Sequence, residues 1–467
     1  MLFNSLEFIL FFPIVCLVYY LLPGIKGRTI FLLLASYYFY MCWEPVYALL
    51  LLTSTSITYI SALCMDRSRS RRWRKISLFS GIFINLGILF FYKYYEFAGS
   101  LITDFFSLLN IGIEIPRWNV LLPVGISFYI FQAVGYAVDV YRGTIKAEKN
   151  FVVYALFISF FPQLVAGPIE RAKNMLPQFR EKHKFSYENF DAGLRLMIWG
   201  FFMKLCVADR VSTYVDAVYN NYMEHSGVSL LLATFFFTFQ IYCDFAGYSL
   251  IAIGSSKMMG FTLMENFHRP YFAKSIKEFW RRWHISLSTW FKDYLYIPLG
   301  GNRKGNAWTF FNLLIVWVVT GMWHGSTINF PLWGLILFVF IALERFVIRN
   351  FLEKHGWLAH LYIWFVIPLT WVVFAITKLS DLKVYFARLF PFFGTGIAVN
   401  AGDYLKYGRT YGVFFLLAFV VSLPFMDKIL KKCWKKWWMK AILFVVLWIC
   451  IYQIANGLNN PFMYFSF

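Results

Sequence analysis

Two histidines of this 467-residue chain stand in a setting that suits chemistry. His284 and His324 each directly follow a tryptophan, in the segments FWRRWHISLSTW (279–290) and VVTGMWHGS (318–326). A neutral imidazole can remove a proton from a hydroxyl group near neutral pH, and general-base catalysis is a common role of histidine. The two Trp-His pairs are therefore the first candidates for a catalytic site.

His324 ends a strongly apolar run, and ionisable groups at membrane depth usually face a cavity or a partner. Gly321 and Gly325 flank it four residues apart, a spacing of small residues that lets another backbone approach closely. The sequence therefore predicts a tight, partly dry place for His324. Spacing alone leaves two roles open, a general base or a packing histidine at a helix end.

His284 is predicted to lie in a helix over residues 275–291. On such a helix Arg281 is adjacent, and a cation, a hydroxyl and two aromatic rings share the histidine's face: Lys277, Trp280, Ser288 and Phe291. This face suits the phosphate or pantetheine arm of an acyl donor. The alternative is an amphipathic helix at the membrane interface.

Asp244 is the one acid in the apolar run over residues 228–253, and Gln240 and Tyr248 share its helical face. A polar stripe inside a span points towards protein or water. It would bind substrate, orient a histidine or form a structural ion pair. A metal site made of Asp244 and the two histidines is the less favoured alternative, since no metal-binding motif is present.

The composition indicates a membrane protein. Hydrophobic residues make up 60% of the chain and charged residues 15%, whereas soluble domains are about half apolar and a quarter charged. The apolar runs are continuous and too long for barrel strands. We expect an all-α polytopic membrane protein with roughly eleven or twelve transmembrane helices. The first is predicted at residues 2–22, and residues 266–304 are predicted to form interfacial or re-entrant helices.

The net charge of +20 is concentrated in short loops between the apolar runs. Residues 66–75 (DRSRSRRWRK) and 428–440 (KILKKCWKKWWMK) are predicted to be cytoplasmic and to meet anionic lipid headgroups. Counting spans from these loops places both termini outside. A nucleic-acid partner is not expected, because no soluble basic domain carries the charge. The other histidines are predicted to be exposed to solvent or to the membrane interface: His183, His225, His268, His355 and His360.

Segments spread over nearly the whole chain resemble the membrane-bound O-acyltransferase superfamily, and most closely the bacterial branch that contains alginate and peptidoglycan O-acetyltransferases. Beside TGMWHGS (320–326), the segments that carry the resemblance are FWRRWHISLSTWFKDYLYIPLGGNRKG, MLFNSLEFILFF, LLPVGISFYIFQ, VAGPIERAKNMLPQF, YCDFAGYSLIAIG, ENFHRPYFAKSIKEFW and the ending NNPFMYFSF. Together these segments are specific, although no single one would be.

The resemblance implies one membrane domain over residues 1–467, with N-terminal helices (1–75), a core (118–345) and C-terminal helices (357–467), built around a central tunnel. His324 matches the family's catalytic histidine and His284 its second motif histidine. The residues expected to bind substrate are Trp280, Arg281, Trp283, Ser288, Asp244, Gln240 and Trp323.

The implied reaction moves an acetyl group from a cytoplasmic thioester, acetyl-CoA, with no bound cofactor or metal. The acceptor is a cell-surface polysaccharide or an extracytoplasmic partner with a serine-hydrolase-like site. The implied location is the bacterial cytoplasmic (inner) membrane. Two alternatives are a teichoic-acid D-alanyl transferase fed by a carrier protein, and a polysaccharide transporter without chemistry.

Overall fold

The structure is a computed structural model that describes residues 1–113, 115–118, 121–165, 167–390, 402–458 and 460–463. Parts of the predicted segments lie outside the described residues. These parts are residues 119–120 and Ala166 in the predicted core, residues 391–401, and Asn459 and residues 464–467 of the ending NNPFMYFSF.

Helices are the only regular secondary structure in the part of the chain that the structure describes. Seven helices there are long and apolar enough to cross a membrane, and a bent helix pair would make eight. The predicted class, an all-α polytopic membrane protein, is confirmed. The count is below the predicted eleven or twelve, because several apolar runs form helices too short for the ~30 Å hydrocarbon layer.

The chain divides into two compact units. The first comprises Met1, Glu7–Asp191 and Ser255–Met264. The second comprises Leu2–Leu6, Ala192–Gly254 and Glu265–Phe467.

The helices of the first unit are α1 (Leu6–Leu21), α2 (Ile25–Met41), α3 (Val46–Arg67), α4 (Arg71–Leu108), α5 (Ile126–Arg142), α6 (Phe151–Ser159), α7 (Phe161–Leu164) and α8 (Ala172–Gln178). Small and polar residues hold α3 against α4. A Cβ on Gly81 of α4 would lie 2.7 Å from Ser61 Oγ of α3, and Ser54 of α3 donates a hydrogen bond to Asn85 Oδ1 of α4. Close approach through small residues is the usual way in which helices associate in lipid.

The second unit contains α9 (Tyr187–Phe201), α10 (Asp209–Asn220), α11 (Gly227–Met258), α12 (Ile276–Arg282), α13 (Ile285–Phe291), α14 (Asn306–His324), α15 (Asn329–Leu343), α16 (Arg349–Lys354), α17 (Gly356–Ala375), α18 (Leu379–Leu389), α19 (Asp403–Ser422), α20 (Met426–Cys433) and α21 (Trp437–Ala455). The N-terminal end of α9 and the last turn of α11 fall in the first unit.

Burial distinguishes the helices at the centre of the second unit from those at its edge. The most apolar stretch of α11 is 78% buried, whereas that of α21 is only 17% buried. Apolar side chains such as Phe444, Trp448 and Tyr452 are exposed on α21. The hydrocarbon of a bilayer is the solvent that suits such a surface.

Three π-helical segments interrupt the helices of the second unit within the described residues: Phe202–Ala208, Lys292–Tyr296 and Glu344–Ile348. π-helical turns are rare and frequently lie at functional sites. Each of these three carries a charged side chain that takes part in the sites described below: Lys204, Lys292 and Glu344.

The predicted continuous helix over residues 275–291 is wrong. α12 ends at Arg282 and α13 begins at Ile285, and His284 between them has a left-handed backbone conformation, with φ at 44° and ψ at 54°. A non-glycine residue rarely adopts positive φ, and a helix cannot continue through it. Lys277 and Trp280 therefore do not share a helix face with His284.

Candidate active site

His284 is placed by the break between α12 and α13, and Asn266 holds that break. The Asn266 carbonyl accepts a hydrogen bond from the Ile285 amide at 3.0 Å, and its Oδ1 accepts one from the Ser286 amide at 3.2 Å. Asn266 thus satisfies the first amides of α13, which have no partner inside a helix. Through these hydrogen bonds the segment ENFHRP holds the first Trp-His pair in position.

The imidazole of His284 is fully buried, with 0% of its surface exposed. Its ring lies edge-on to Phe245 at 4.8 Å and to Trp323 at 5.7 Å between centroids. Burial lowers the pKa of His284 to about 3, because the charged imidazolium loses its hydration. His284 is therefore neutral at physiological pH.

His324 is the last residue of α14, and two glycines fit that helix against α15. A Cβ on Gly321 would lie 2.3 Å from the Phe330 carbonyl oxygen, and one on Gly325 would lie 2.0 Å from the Phe330 ring. A side chain at Gly321 would clash with the backbone of α15, and one at Gly325 would displace the Phe330 ring. The prediction of a tight place for His324 is confirmed, and only 3% of this histidine is exposed.

Three aromatic rings stand edge-on to the His324 imidazole. The ring centroids of Trp323, Trp333 and Phe374 lie 4.9, 5.1 and 5.3 Å from it. Trp323 also packs against His284, so one indole contacts both histidines. The two Trp-His pairs are brought into one aromatic layer.

The aromatic layer continues from Trp333 to Trp280, with ring centroids 5.5 Å apart, and from Trp280 to Trp317 at 5.1 Å. Trp371 stacks on Trp333 at 5.8 Å and packs against Trp283 at 5.0 Å. Rings in such edge-on and stacked pairs exclude water from the groups that they enclose. His324 lies in this layer.

A cavity of about 1390 Å³ lies on the other side of Trp280. Trp280, Trp317 and Thr320 are among its lining residues. Thr320 precedes His324 by one helical turn on α14, so the cavity extends to within a turn of the histidine. The cavity is large enough for a drug-sized or cofactor-sized ligand.

Cationic side chains outnumber acidic ones in the cavity lining, by six to three. The cations are Lys274, Lys277, Arg281, Lys292, Arg345 and Arg349, and the acids are Glu278, Glu344 and Glu353. Partial burial, followed by the neighbouring guanidinium groups, lowers the pKa of Lys277. Mutually repelling cations around a cavity favour an anionic ligand.

Glu344 is a buried acid that fixes the start of α12 beside the cavity. Its carboxylate accepts hydrogen bonds from the amides of Ile276 and Lys277, the second at 3.2 Å. A carboxylate at a helix N-terminus satisfies unpaired amides and complements the helix dipole. Glu344 thereby anchors the helix that carries Trp280 and Arg281 into the cavity wall.

The residues that the sequence singled out fall into three places. Trp280, Arg281 and Ser288 line the cavity. His284, Trp283, Trp323 and His324 form the buried layer behind it. Gln240 and Asp244 are buried on α11 and are not among the cavity-lining residues.

Of the three roles predicted for Asp244, the structure shows the structural ion pair. Its carboxylate contacts the Lys204 ammonium, which also lies 2.7 Å from Asp209 Oδ1, and all three side chains are buried. The segment from residue 460 to 463 docks on this triad, where the Met463 amide donates to Asp244 at 3.0 Å and the Asn460 amide to Asp209 at 3.1 Å. Lys204 therefore occupies the carboxylate that a metal site of Asp244 with both histidines would need.

The prediction of an exposed His225 is wrong. Its side chain is buried, its Nδ1 contacts the Asp403 carboxylate, and Ser229 donates to the same carboxylate. Arg388 adds a hydrogen bond to the His225 carbonyl at 3.0 Å. Asp403 is the bridging group, so His225 is not positioned to activate Ser229 and the cluster joins the starts of α11 and α19.

Four residues of the site were not found from the sequence. Trp317, Trp333, Trp371 and Phe374 lie in uniform apolar runs, where an aromatic residue looks like ordinary core. Lys204 did leave a signal, because it is an ionisable residue inside the apolar run over residues 192–207.

Comparison with known proteins gives the family. Residues 144–380 match the MBOAT (membrane-bound O-acyltransferase) family. The chain is 36% identical over 400 residues to the probable alginate O-acetylase AlgI of Pseudomonas putida, covering 84% of this chain and 81% of the relative. It is 33% identical over 420 residues to the peptidoglycan O-acetyltransferase of Helicobacter pylori, covering 82% and 79%.

A more distant relative is the teichoic acid D-alanyltransferase of Bacillus subtilis, with 27% identity over 254 residues, 52% of this chain and 64% of the relative. The matched region of the family contains both Trp-His pairs, the aromatic layer and the cavity. The chain therefore belongs to the membrane-bound O-acyltransferase family and is a multi-pass membrane O-acyltransferase.

Proposed function

We propose that this enzyme transfers an acetyl group to a hydroxyl group for the O-acetylation of a bacterial cell-surface polysaccharide, alginate-like or related. His324 is the general base. The position of His324 carries the proposal, since it is enclosed by aromatic rings one turn beyond the cavity residue Thr320. The names of the relatives, an alginate O-acetylase and a peptidoglycan O-acetyltransferase, support acetyl transfer to a glycan.

In this mechanism His324 removes the proton of the acceptor hydroxyl as its oxygen attacks the thioester carbonyl carbon. The carbon–sulfur bond then breaks, and the leaving thiolate takes the proton from the imidazolium. Removal of water from around the base strengthens each electrostatic interaction in the site and prevents hydrolysis of the thioester. His284, neutral and packed on Trp323, assists by holding the indole that contacts His324.

The co-substrate in this proposal is acetyl-CoA, and the cavity receives it. The excess of lysine and arginine in the cavity lining supports a donor that carries phosphate groups. Arg281 and Ser288 would contact the phosphate and pantetheine arm, and Trp280 the thioester end. The same cations support a cytoplasmic position for the cavity mouth, because cytoplasmic segments of membrane proteins are rich in lysine and arginine.

The acceptor hydroxyl approaches from the opposite side of the membrane. It belongs either to the polysaccharide or to an extracytoplasmic partner with a serine-hydrolase-like site. In this orientation residues 66–75 and 428–440 are cytoplasmic, both termini are outside, and the enzyme lies in the bacterial cytoplasmic membrane.

D-alanyl transfer from a carrier protein is the second candidate reaction, and its support is the relative from Bacillus subtilis. The two reactions share an acyl thioester on a phosphopantetheine arm, so the cavity suits both. Copurification with a small phosphopantetheinylated protein, and no acetyl groups on the glycan, would favour D-alanyl transfer. Glycan movement by reconstituted protein without consumption of acetyl-CoA would favour a transporter.

The test is a comparison of His324→Ala with the wild type in cells, by mass spectrometry of surface glycans normalised to protein level. We expect O-acetylation to be lost at a normal protein level. His355→Ala is the matched control, because His355 is exposed and lies outside the cavity lining. Normal acetylation by His324→Ala at normal expression would show that His324 is not the base.

A further inference from the structure

Two tryptophans between the cavity and His324 bury hydrogen-bond donors that have no acceptor among the described residues. The indole Nε1 atoms of Trp280 and Trp333 are inaccessible to solvent and have no hydrogen-bond partner among the described residues. Trp333 is 0% exposed and Trp280 is 6% exposed. An indole N–H in a protein interior normally finds a partner.

The two donors lie between the cavity and the base. Trp280 lines the cavity and packs against Trp333, and Trp333 packs against the His324 imidazole. A ligand that enters from the cavity and reaches His324 therefore passes both indoles. The unsatisfied donors belong to the wall that the reacting group of the ligand must meet.

Leaving a donor buried without an acceptor lowers stability, so a residue without an N–H group would be the more stable choice for packing alone. Unsatisfied buried polar groups are uncommon in folded proteins and require an explanation. A carbonyl oxygen that accepts from the two N–H groups would supply the missing acceptor. A need for hydrogen-bond donors near His324 would explain why the two unpaired N–H groups lie there.

We propose that the indole N–H groups of Trp280 and Trp333 bind the acyl carbonyl oxygen of the donor and stabilise its negative charge during transfer. This inference rests on the proposed function and adds two catalytic residues to it. The ligand is the carbonyl of a thioester, whether the acyl group is acetyl or aminoacyl.

The two groups act at one step of the reaction. As the acceptor oxygen bonds to the carbonyl carbon, the electron pair of the C=O π bond moves to the carbonyl oxygen, and the acceptor proton moves to His324. The two N–H groups donate to that oxyanion. When the tetrahedral species collapses, the C=O bond re-forms, the carbon–sulfur bond breaks and the thiolate takes the proton from His324. Preorganised donors in a dry site are most effective at such a charge.

The test replaces Trp333 by 3-benzothienylalanine through site-specific incorporation. This residue keeps the bicyclic shape and exchanges the N–H group for sulfur, so packing is preserved and only the donor is lost. Membrane vesicles with the full chain and its extracytoplasmic partner receive labelled acetyl-CoA and de-O-acetylated alginate. We expect kcat to fall by about 100-fold, the usual effect of removing one oxyanion donor, with little change in KM for acetyl-CoA.

The same replacement at Trp364 is the matched control. Trp364 packs against Tyr271 in the core of the second unit, is not among the cavity-lining residues, and its indole nitrogen is not a buried donor without a partner. We expect wild-type kcat there. Wild-type kcat with the isostere at Trp333, or an equal fall at both positions, would overturn the proposal.

A second measurement does not depend on turnover. Infrared difference spectra of bound acetyl-CoA, labelled with ¹³C at the carbonyl, report hydrogen bonding to that oxygen. We expect the carbonyl band of the wild type at a lower frequency than that of the Trp333 isostere, and identical bands would contradict the proposal. Activity of His324→Ala would refute the base assignment. If His324→Ala is inactive but the Trp333 isostere is fully active, only the role of the two indoles is refuted.

Discussion

The imidazole of His324 stands edge-on to the indole of Trp333, with ring centroids 5.1 Å apart and ring planes at 86°. The contact fixes the orientation of the ring at the end of α14. It also means that the cavity does not open directly onto His324, because Trp333 and Trp280 stand between them. The aromatic wall both positions the base and controls what reaches it.

The first prediction concerns the crossing of α14 and α15. We expect Gly321→Ala to destabilise the protein by about 1–3 kcal/mol, the usual cost of overpacking, and to abolish activity by displacing His324. The reason is the 2.3 Å distance from the new Cβ to the Phe330 carbonyl oxygen. Thermal unfolding in detergent measures the loss. Gly412→Ala on α19 is the control, because nothing lies within 4 Å of a Cβ there.

The second prediction concerns the pH dependence of stability. The pKa of His284 is about 3 in the folded protein and about 6.5 in the unfolded chain, so the unfolded chain takes up the proton first as the pH falls. The contribution of His284 to the free energy of unfolding is complete above pH 6.5. It falls by up to about 1.4 kcal/mol for each pH unit as the pH decreases towards 3.

The melting temperature of the wild type should consequently fall further between pH 7 and pH 5 than that of His284→Gln, which carries no titrating group at this position. Equal losses in the two proteins would mean that His284 is hydrated or carries a charge in the folded state.

The third prediction concerns the buried Lys204 triad. Lys204→Met leaves Asp209 and Asp244 without a counter-charge, and breaking a buried ion pair on one side costs about 3–5 kcal/mol. Neutralising the acids as well, by Asp209→Asn and Asp244→Asn, should restore part of the stability. The surface pair Arg349–Glu353 is the comparison, where Arg349→Met should leave the stability nearly unchanged.

The fourth prediction concerns the cavity cations. Arg281→Ala should raise KM for acetyl-CoA about tenfold and leave kcat nearly unchanged, because a contact to the phosphates is equally strong in ground and transition states. Arg282→Ala is the adjacent control, since Arg282 pairs with Glu278 and is not among the lining residues. A fall in kcat without a change in KM would assign Arg281 to the chemical step instead.

Composition and run length were sufficient to predict the membrane class, because apolar content limits which solvent a fold can use. The close approach at Gly321 and Gly325 also followed from spacing. The break at His284 did not, since no glycine or proline marks it and the cause is Asn266, which lies 18 residues earlier in the chain. The buried Asp244–Lys204 contact joins residues 40 apart, so local periodicity could not reveal it.

The sequence also did not predict that the site is divided into a cavity and a buried aromatic layer. Trp280 and Trp283 are neighbours on one motif, yet only Trp280 reaches the cavity. Which of two adjacent indoles faces a ligand depends on the end of α12 at Arg282, and that end is set by tertiary hydrogen bonds rather than by propensity.

The docking of residues 460–463 on the Lys204 triad has a consequence for biosynthesis. Lys204, Asp209 and Asp244 lie within 40 residues of one another in the chain, whereas the Met463 amide that donates to the Asp244 carboxylate follows 219 residues after Asp244. Throughout that interval the Asp209 and Asp244 carboxylates lack the hydrogen bonds that the Asn460 and Met463 amides donate. We therefore expect a chain that ends before residue 460 to hold α11 less firmly than the full chain does.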